Sequence, residues 1–275
     1  MIIIDYSGIS IAASMEALKE GDTDLSIARH YILNSIQSIR RKLRTKTNGD
    51  IVICADAPNP WRRDIFPHYK ANRKKARDDS AIDWSAVYQN IYTVFDELKE
   101  HFPYKCLKVD KVEADDILAT LTKYVTDEDH VVVSNDKDMV QLAMRKNVQV
   151  YSTLKAQYLS EDNPEKALFF HILKGDTSDG IPNAISDDDT FVVKEKRQSQ
   201  MRQTKMEMYW SGEMEHPIHF ERNKKLISLY EIPQEIEDQI MEVYENTTPK
   251  GQRANLLSYM VSKQLRNLIE KVGEF

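Results

Sequence analysis

The chain has 275 residues, of which 41% are hydrophobic and 30% charged, with a net charge of −6. That is the composition of a soluble globular protein with one sizeable core, or one core and an appendage. No apolar run approaches the ~20 residues of a membrane helix, and the opening MIIID lacks the basic region and cleavage site of a signal peptide, so a cytoplasmic location is expected.

Residues 1–5 read as a strand, and residues 26–43 have helical spacing (Ile27, Tyr31, Ile32, Ile36, Ile39, Leu43). Residues 51–56 form a second expected strand; Cys54, inside this apolar run, reads as a small core hydrophobe, and with Cys106 it makes no CxxC pattern. A helix is expected over 87–98, a short strand over 106–109, a helix over 114–124, and strands over 131–134 and 148–151. This rhythm predicts an α/β fold: a mostly parallel central sheet with helices on both faces. Past residue 160 the strands stop. Helices are expected over 164–173, 234–244 and 253–272, while residues 186–208 are charged and poorly periodic. A domain boundary falls near 180–190.

Acidic residues gather at the expected strand ends. Asp5 ends the first strand, Asp56 the second, and Asp136 and Asp138 the strand VVVS. Parallel α/β sheets bind ligands outside the carboxyl ends of their strands. Glu113, Asp115 and Asp116 open the helix of KVEADDILATL, and Asp176 and Asp179 lie in the turn KGDTSDGIPN. Taken singly, each segment has an ordinary explanation, as a helix cap or an Asx turn. Together they place many repelling carboxylates at one edge. A hard divalent cation relieves such repulsion, and Mg²⁺ takes oxygen ligands of this kind. Zinc is disfavoured, because the seven His form no HxH or HExxH pattern.

The net charge argues by its sum against a polyanionic partner, yet WRRDIFPHYKANRKKAR holds Arg62, Arg63, Lys70, Arg73, Lys74, Lys75 and Arg77 against one acid, Asp64. A charge run is usually a solvated surface. Here Trp61, Phe66 and Tyr69 are interleaved and the run follows directly on Asp56, which favours a nucleic-acid contact. A second, weaker basic run includes Lys194, Lys196 and Arg197.

The stretches IIIDYSG, RDIFPHYKANR, VEADDILATL, SNDKDMVQL and KGDTSDGIPN occur in an order and spacing that resemble the flap-endonuclease/5′-nuclease superfamily, built on a PIN-like domain, and within it the bacteriophage ribonuclease H branch. The resemblance implies a Mg²⁺-dependent 5′→3′ exonuclease and flap endonuclease with ribonuclease H activity, removing RNA primers and adjacent DNA during lagging-strand replication. It implies two Mg²⁺ ions, with Mn²⁺ able to substitute. Asp5, Asp56, Glu113, Asp115 and Asp116 resemble the first-metal cluster, Asp136 and Asp138 the pair shared between or near both metals, and Asp176 and Asp179 the second-metal ligands. Lys70 and Arg62 resemble basic residues that reach the scissile phosphate, with Tyr69 beside them. The implied partners are DNA and RNA–DNA hybrid at 5′ ends, flaps and nicks, with a single-stranded-DNA-binding protein and a sliding clamp; no membrane partner is implied, and the chain is expected to be monomeric. Residues 1–183 would be the catalytic domain, with a helical arch over about 61–85, and residues 184–275 a helical region that binds DNA or a partner. The family's helix-hairpin-helix element is degenerate: Gly180 and Asn183 stand where the family commonly has Asn and Gly, no G-x-G turn follows, and Asp187–Asp189 would repel phosphate.

Two rival readings remain. The DKD of DKDMV resembles the aspartyl-phosphate motif of haloacid-dehalogenase phosphatases, but it lies mid-chain and leaves the basic stretch unexplained. A non-catalytic PIN-like nucleic-acid-binding module would not need so complete an acid set.

Overall fold

The structure, a computed structural model, describes residues 1–19, 24–47 and 50–275, the side chains at 19 and 74–76 excepted. Strands β1 (Ile2–Asp5), β2 (Ile51–Cys54), β3 (Lys105–Leu107), β4 (His130–Val133), β5 (Val148–Ser152) and β6 (Gln157–Leu159) form one sheet in the order β3-β2-β1-β4-β5-β6. The first five are parallel, and β6 returns antiparallel to β5. A parallel strand is covered on both faces, so it reads as an unbroken apolar run rather than an alternation. Ile2, Ile3 and Ile4 are wholly buried; each such side chain contributes roughly 1.5–3 kcal/mol over leaving it exposed.

The helices are α1 (Tyr6–Lys19), α2 (Leu25–Leu43), α3 (Arg62–Ile65), α4 (Ala71–Asp78), α5 (Trp84–His101), α6 (Ala114–Tyr124), α7 (Pro164–Lys174), α8 (Gln203–Trp210), α9 (Phe220–Ile227), α10 (Gln234–Asn246), α11 (Arg253–Ser262) and α12 (Arg266–Ile269). Short 3₁₀ helices cover Lys137–Met144 and Val272–Glu274. None of the described helices is long and apolar enough to cross a membrane. Helices α1, α2 and α5 pack on one another. The sheet order reverses after β3, so the crossover through α6 runs back across β2 and β1 to β4. Right-handed crossovers then put α6 on the opposite face from α1, α2 and α5, which is the two-faced arrangement expected from the sequence. The helix expected over 253–272 is broken. Gln264 takes a left-handed φ of 57°, and the Leu265 amide turns back to the Met260 carbonyl at 2.9 Å. The turn lets Leu265 and Leu268 both be buried.

Two compact units share the described chain. The first comprises Met1–Pro58, Asp83–Ser160 and Glu235–Phe275; the second comprises Asn59–Ile82 and Glu161–Gln234. The basic stretch belongs to the second unit, and the last helices belong to the sheet unit. The return of α10 is held by the buried Glu237, which accepts hydrogen bonds from Lys123 Nζ (2.6 Å) and Tyr124 Oη (2.9 Å) of α6. The second unit has its own apolar core, in which Phe66 and Tyr69 pack with residues of α7, α8 and α9, among them Ile172, Leu173, Met206, Phe220 and Leu226.

Candidate metal centre

In the first unit the sheet order reverses between β1 and β4, the place where an open α/β sheet leaves a crevice at its carboxyl edge. Asp5 is the last residue of β1 and sits beside Cys54 of β2 in register. It also precedes α1 directly, so its carboxylate serves as a helix cap: the Gly8 amide donates to Oδ1 at 2.9 Å. Just past β4, the Ser134 hydroxyl donates to Oδ2 at 2.8 Å. A Cβ at Gly8 would lie 2.5 Å from Asp5 Oδ2, so a larger residue there would push the carboxylate from its place.

Asp5 is 7% exposed. Burial first, and then the charge of Asp56, push its carboxyl up from 3.8 to about 6, against the two hydrogen bonds; Asp136 adds a smaller push in the same direction. Asp56 is fixed between two helix starts. Its amide donates to Ser7 Oγ at 2.9 Å, and its Oδ1 accepts from the Ala114 amide at 2.8 Å. Glu113 caps α6 and Asp116 completes a reciprocal capping box, accepting from the Glu113 amide at 3.2 Å. Glu113 is 6% exposed, Asp116 is fully buried and Asp115 half-buried. Asp136 follows β4. Its amide donates to Ser134 Oγ at 3.1 Å, and its Oδ1 accepts from the Asp138 amide at 2.8 Å. Asn135, between them in sequence, turns instead to the end of β5, accepting from Ser152 Oγ, Thr153 Oγ1 and the Leu154 amide at 3.0–3.1 Å.

One strand-end hydroxyl therefore ties Asp5 to Asp136, one amide ties Asp56 to the start of α6, and the field of Asp56 reaches Asp5. Ser134, Ser7, Gly8 and the Ala114 amide hold the carboxylates in place. The sequence reading did not single them out, although the SG of IIIDYSG and the S of VVVSND were visible.

The remaining expected residues belong to the second unit. After α7, Gly175 adopts φ 69°, and a Cβ there would strike the Ile181 carbonyl at 2.4 Å. This turn lets Asp176 Oδ1 accept from Ser178 N and Ser178 Oγ, both at 2.7 Å, while Oδ2 lies 3.6 Å from His171 Nε2. Burial works against ionisation of Asp176, but the bonds from His171 and Ser178 outweigh it and hold the carboxyl well below the usual range. Asp179 lies against the basic stretch. Its carbonyl accepts from the Lys70 amide at 2.7 Å, its Oδ2 is 3.6 Å from Lys70 Nζ, and its Oδ1 accepts from Arg73. Lys70 itself has a left-handed φ of 57°.

Two of the three expected catalytic side chains turn inward. Arg62 is 2% exposed: its Nε donates to the Leu226 carbonyl at 3.0 Å, and its guanidinium lies 4.4 Å from the Trp61 ring. A carbonyl in the last turn of α9 lacks a helical partner, and Arg62 supplies one, so the side chain turns inward. Tyr69 is 3% exposed and belongs to the apolar core. Arg63 and Arg73 are exposed and Arg77 half-buried, while the side chains of Lys74 and Lys75 lie outside the described residues. Lys194 and Arg197 are exposed. Lys196 bridges Asp187 (2.8 Å) and Asp189, and Arg222 holds Asp188, so the acidic triplet carries its own countercharges. Asn183 is a buried hub: its Nδ2 donates to the Ser199 carbonyl at 2.6 Å, and its Oδ1 accepts from Ser186 Oγ at 2.8 Å.

A family model described as 5′-3′ exonuclease, N-terminal resolvase-like domain, matches residues 5–168, and one described as T4 RNase H, C terminal, matches residues 162–275. The chain is 31% identical over 290 positions to Ribonuclease H of Enterobacteria phage T4, covering 99% of this chain and 95% of that one. It is 28% identical over 192 positions to Flap endonuclease Xni of Shewanella pealeana, covering 66% of this chain and 70% of the relative. The T5 5′-exonuclease with bound divalent metal ions (zinc) has a similar fold, with a TM-score of 0.63 at 15% identity over 89% of this chain and 98% of that one. The bacteriophage T5 flap endonuclease, in a pseudo-enzyme-product complex with DNA and metal ions, gives 0.62 at 15% identity over 89% and 97%.

Proposed function

The chain belongs to the 5′–3′ exonuclease family, and on that premise we propose that it is a Mg²⁺-dependent nuclease that removes RNA primers and adjacent DNA from the 5′ ends of lagging-strand fragments. The observation that carries this reading is the carboxylate edge at the β1/β4 switch point. Buried Asp5 is held charged against Asp56 and Asp136 at pH 7 and above, although its carboxyl is pushed up to about 6.

The donor set fits a hard divalent cation. Asp5, Asp56, Glu113, Asp115 and Asp136 offer only carboxylate oxygens, and each anion has about four lone-pair sites. Asp116, wholly buried in its capping box, serves best to orient Glu113. Asp138 extends the set from the turn after β4, and in the second unit Asp176 and Asp179 are the proposed ligands of a further ion. Divalent ions held by such carboxylates would supply a nucleophilic water and stabilise the leaving oxygen of a phosphodiester.

The protein's own groups do the positioning. Gly8 N and Ser134 Oγ fix both oxygens of Asp5, and the Ala114 amide fixes Asp56, so the ligands need little rearrangement. Lys70 and Arg73 are paired with Asp179; a phosphate competes with that carboxylate for the same cations, and Lys70 then offsets charge building on the transferring group.

The test is product mapping on 5′-labelled flap, nicked and RNA–DNA hybrid substrates, with Mg²⁺ and with chelator. Asp136→Asn should abolish cleavage while leaving DNA binding largely intact. Cleavage by that variant at the parent rate, or by the parent in chelator, would remove the metal-dependent reading. Loss of 5′ label from flaps but not hybrids would restrict the substrate and remove the primer role.

A further inference from the structure

Beside the carboxylate edge, the N-terminal half of α5 carries three aromatic side chains one turn apart. Trp84, Tyr88 and Tyr92 occupy positions i, i+4 and i+8 and share one flank of the helix. The Trp84 and Tyr88 ring centroids are 6.1 Å apart at 36°, and those of Tyr88 and Tyr92 are 6.5 Å apart at 27°. The face that α5 buries is a different one, made of Val87, Ile91, Val94, Phe95 and Leu98; the three aromatics are only half-buried. At the inner end of the row, Lys108, the first residue past β3, sets its ammonium 4.1 Å from the Tyr92 ring. Tyr92 also lies within the field of the carboxylate edge: burial first, and then Asp56, raise its hydroxyl above the ordinary value.

A single aromatic on such a flank is ordinary helix packing. Three in a row, the first pair tilted and the second stacked, end at a lysine that follows Leu107, whose carbonyl accepts from the Ala55 amide just before Asp56; they form a surface of a particular chemistry. Stacked bases along one strand of a helix rise by roughly 3.4 Å per step, so rings a little over 6 Å apart are spaced close to two base steps. A duplex hides its base faces in its own stack, whereas an unpaired strand exposes them, and every base has a π face. Lys108 adds the positive charge that a phosphate backbone requires.

We infer that Trp84, Tyr88 and Tyr92 form a stacking ladder for the unpaired bases of a nucleic-acid strand entering the carboxylate edge. The inference rests on the nuclease reading above and deepens it, by naming the single-stranded part of the substrate as what this flank holds.

The experiment measures binding of the full chain, in chelator so that nothing is cleaved, to fluorescein-labelled oligo(dT), to an abasic oligonucleotide of equal length and to a blunt duplex. Tyr88→Ala and Trp84→Ala should each weaken oligo(dT) binding by about five- to a hundred-fold, with duplex binding within twofold of the parent. The abasic strand should bind the parent and both variants equally. Tyr88→Phe keeps the ring and should bind oligo(dT) like the parent, whereas Tyr88→Leu keeps apolar bulk without the ring and should not. That pair decides the matter if the alanine variants fail to fold. Oligo(dT) binding unchanged in both alanine variants, equal binding by the Phe and Leu variants, or parallel loss of duplex binding would overturn the ladder, including the case in which the flank docks a protein instead. Cleavage of a labelled flap by the parent in Mg²⁺, run separately, tests the nuclease reading without touching these results.

Discussion

Replacing Asp5 by Asn should stabilise the metal-free protein, the opposite of what loss of an ordinary helix cap does. The Asp5 carboxyl is raised from 3.8 to about 6, chiefly by burial and next by Asp56. A raised acid destabilises the fold when charged: the penalty is absent below the unfolded value, grows as pH rises from about 4 to 6, and is complete above the folded value. About two pH units at 1.36 kcal/mol each make it ~3 kcal/mol at pH 7.5. Asparagine removes the charge but gives up one charge-assisted bond, from Gly8 N or Ser134 Oγ, at a cost of about 2 kcal/mol. The net gain is ~1 kcal/mol, which for a chain of this size raises Tm by roughly 2–4 °C. The assay is thermal melting of both proteins in chelator at pH 7.5 and pH 5, and again in saturating Mg²⁺ at pH 7.5. The variant should melt higher in chelator at pH 7.5, its advantage should shrink at pH 5, and Mg²⁺ should raise the parent more than the variant, since binding to the folded state adds stability by mass action. A variant that melts below the parent in chelator at pH 7.5 would refute the reasoning, because Asp5 would then be a cap and nothing more.

Glu97 holds a different kind of charge. Its carboxylate is bonded to Arg29 at 2.6 and 2.9 Å, to Lys263 at 2.9 Å and to Tyr259 at 2.9 Å. Burial pulls its pKa up, but these partners prevail and hold it below the ordinary 4.5, so its contribution is present above that value and is lost as pH falls through the depressed one. Glu97→Gln leaves Arg29 buried without its counter-ion and should cost about 3–5 kcal/mol in a urea melt near neutral pH; a loss under 1 kcal/mol would mean that water reaches the pair. Lys70→Ala and Arg62→Ala should separate cleanly. The first should slow cleavage by roughly a hundred-fold, as loss of one charge-stabilising donor does, with an unchanged melt. The second should lower the melting temperature, because it strips the partner from the Leu226 carbonyl. Equal effects of the two on both readouts would contradict the roles given to them. Cleavage and binding should both weaken with added salt through their phosphate contacts.

Much of the sheet was legible because buried parallel strands announce themselves as β-branched runs: Ile2–Ile4, Ile51–Cys54 and Val131–Val133 need no context. Helix α1 was not read, since its Ala12, Ala13, Ser10 and Ser14 give no apolar stripe; small side chains let it pack closely instead. The edge strand β6 was also missed, because Gln157 and Tyr158 are exposed and carry no burial signal. At the site, the acids were visible one by one, but their neighbours depend on topology. Ser134 meets Asp5 only because β4 lies beside β1, a pairing across 129 positions that no local pattern encodes. The inward turn of Arg62 and Tyr69 was hidden for a related reason: sequence shows that a side chain is basic or aromatic, not which way the local backbone turns it.

The same topology dissolves the contrast between cap and ligand with which the acidic segments were first weighed. Asp5 caps α1, Glu113 and Asp116 cap α6, and Asp136 caps the 3₁₀ turn after β4. Backbone amides at helix starts hold anions without bringing any net charge of their own. They can therefore fix several carboxylates in place while leaving the repulsion between them largely uncancelled, as the raised Asp5 carboxyl shows. Lysines or arginines in the same positions would have neutralised the edge and removed its affinity for a cation. Capping is thus the means by which this fold keeps an acidic edge both ordered and unsatisfied, and the ordinary reading of each segment becomes a condition of the functional one.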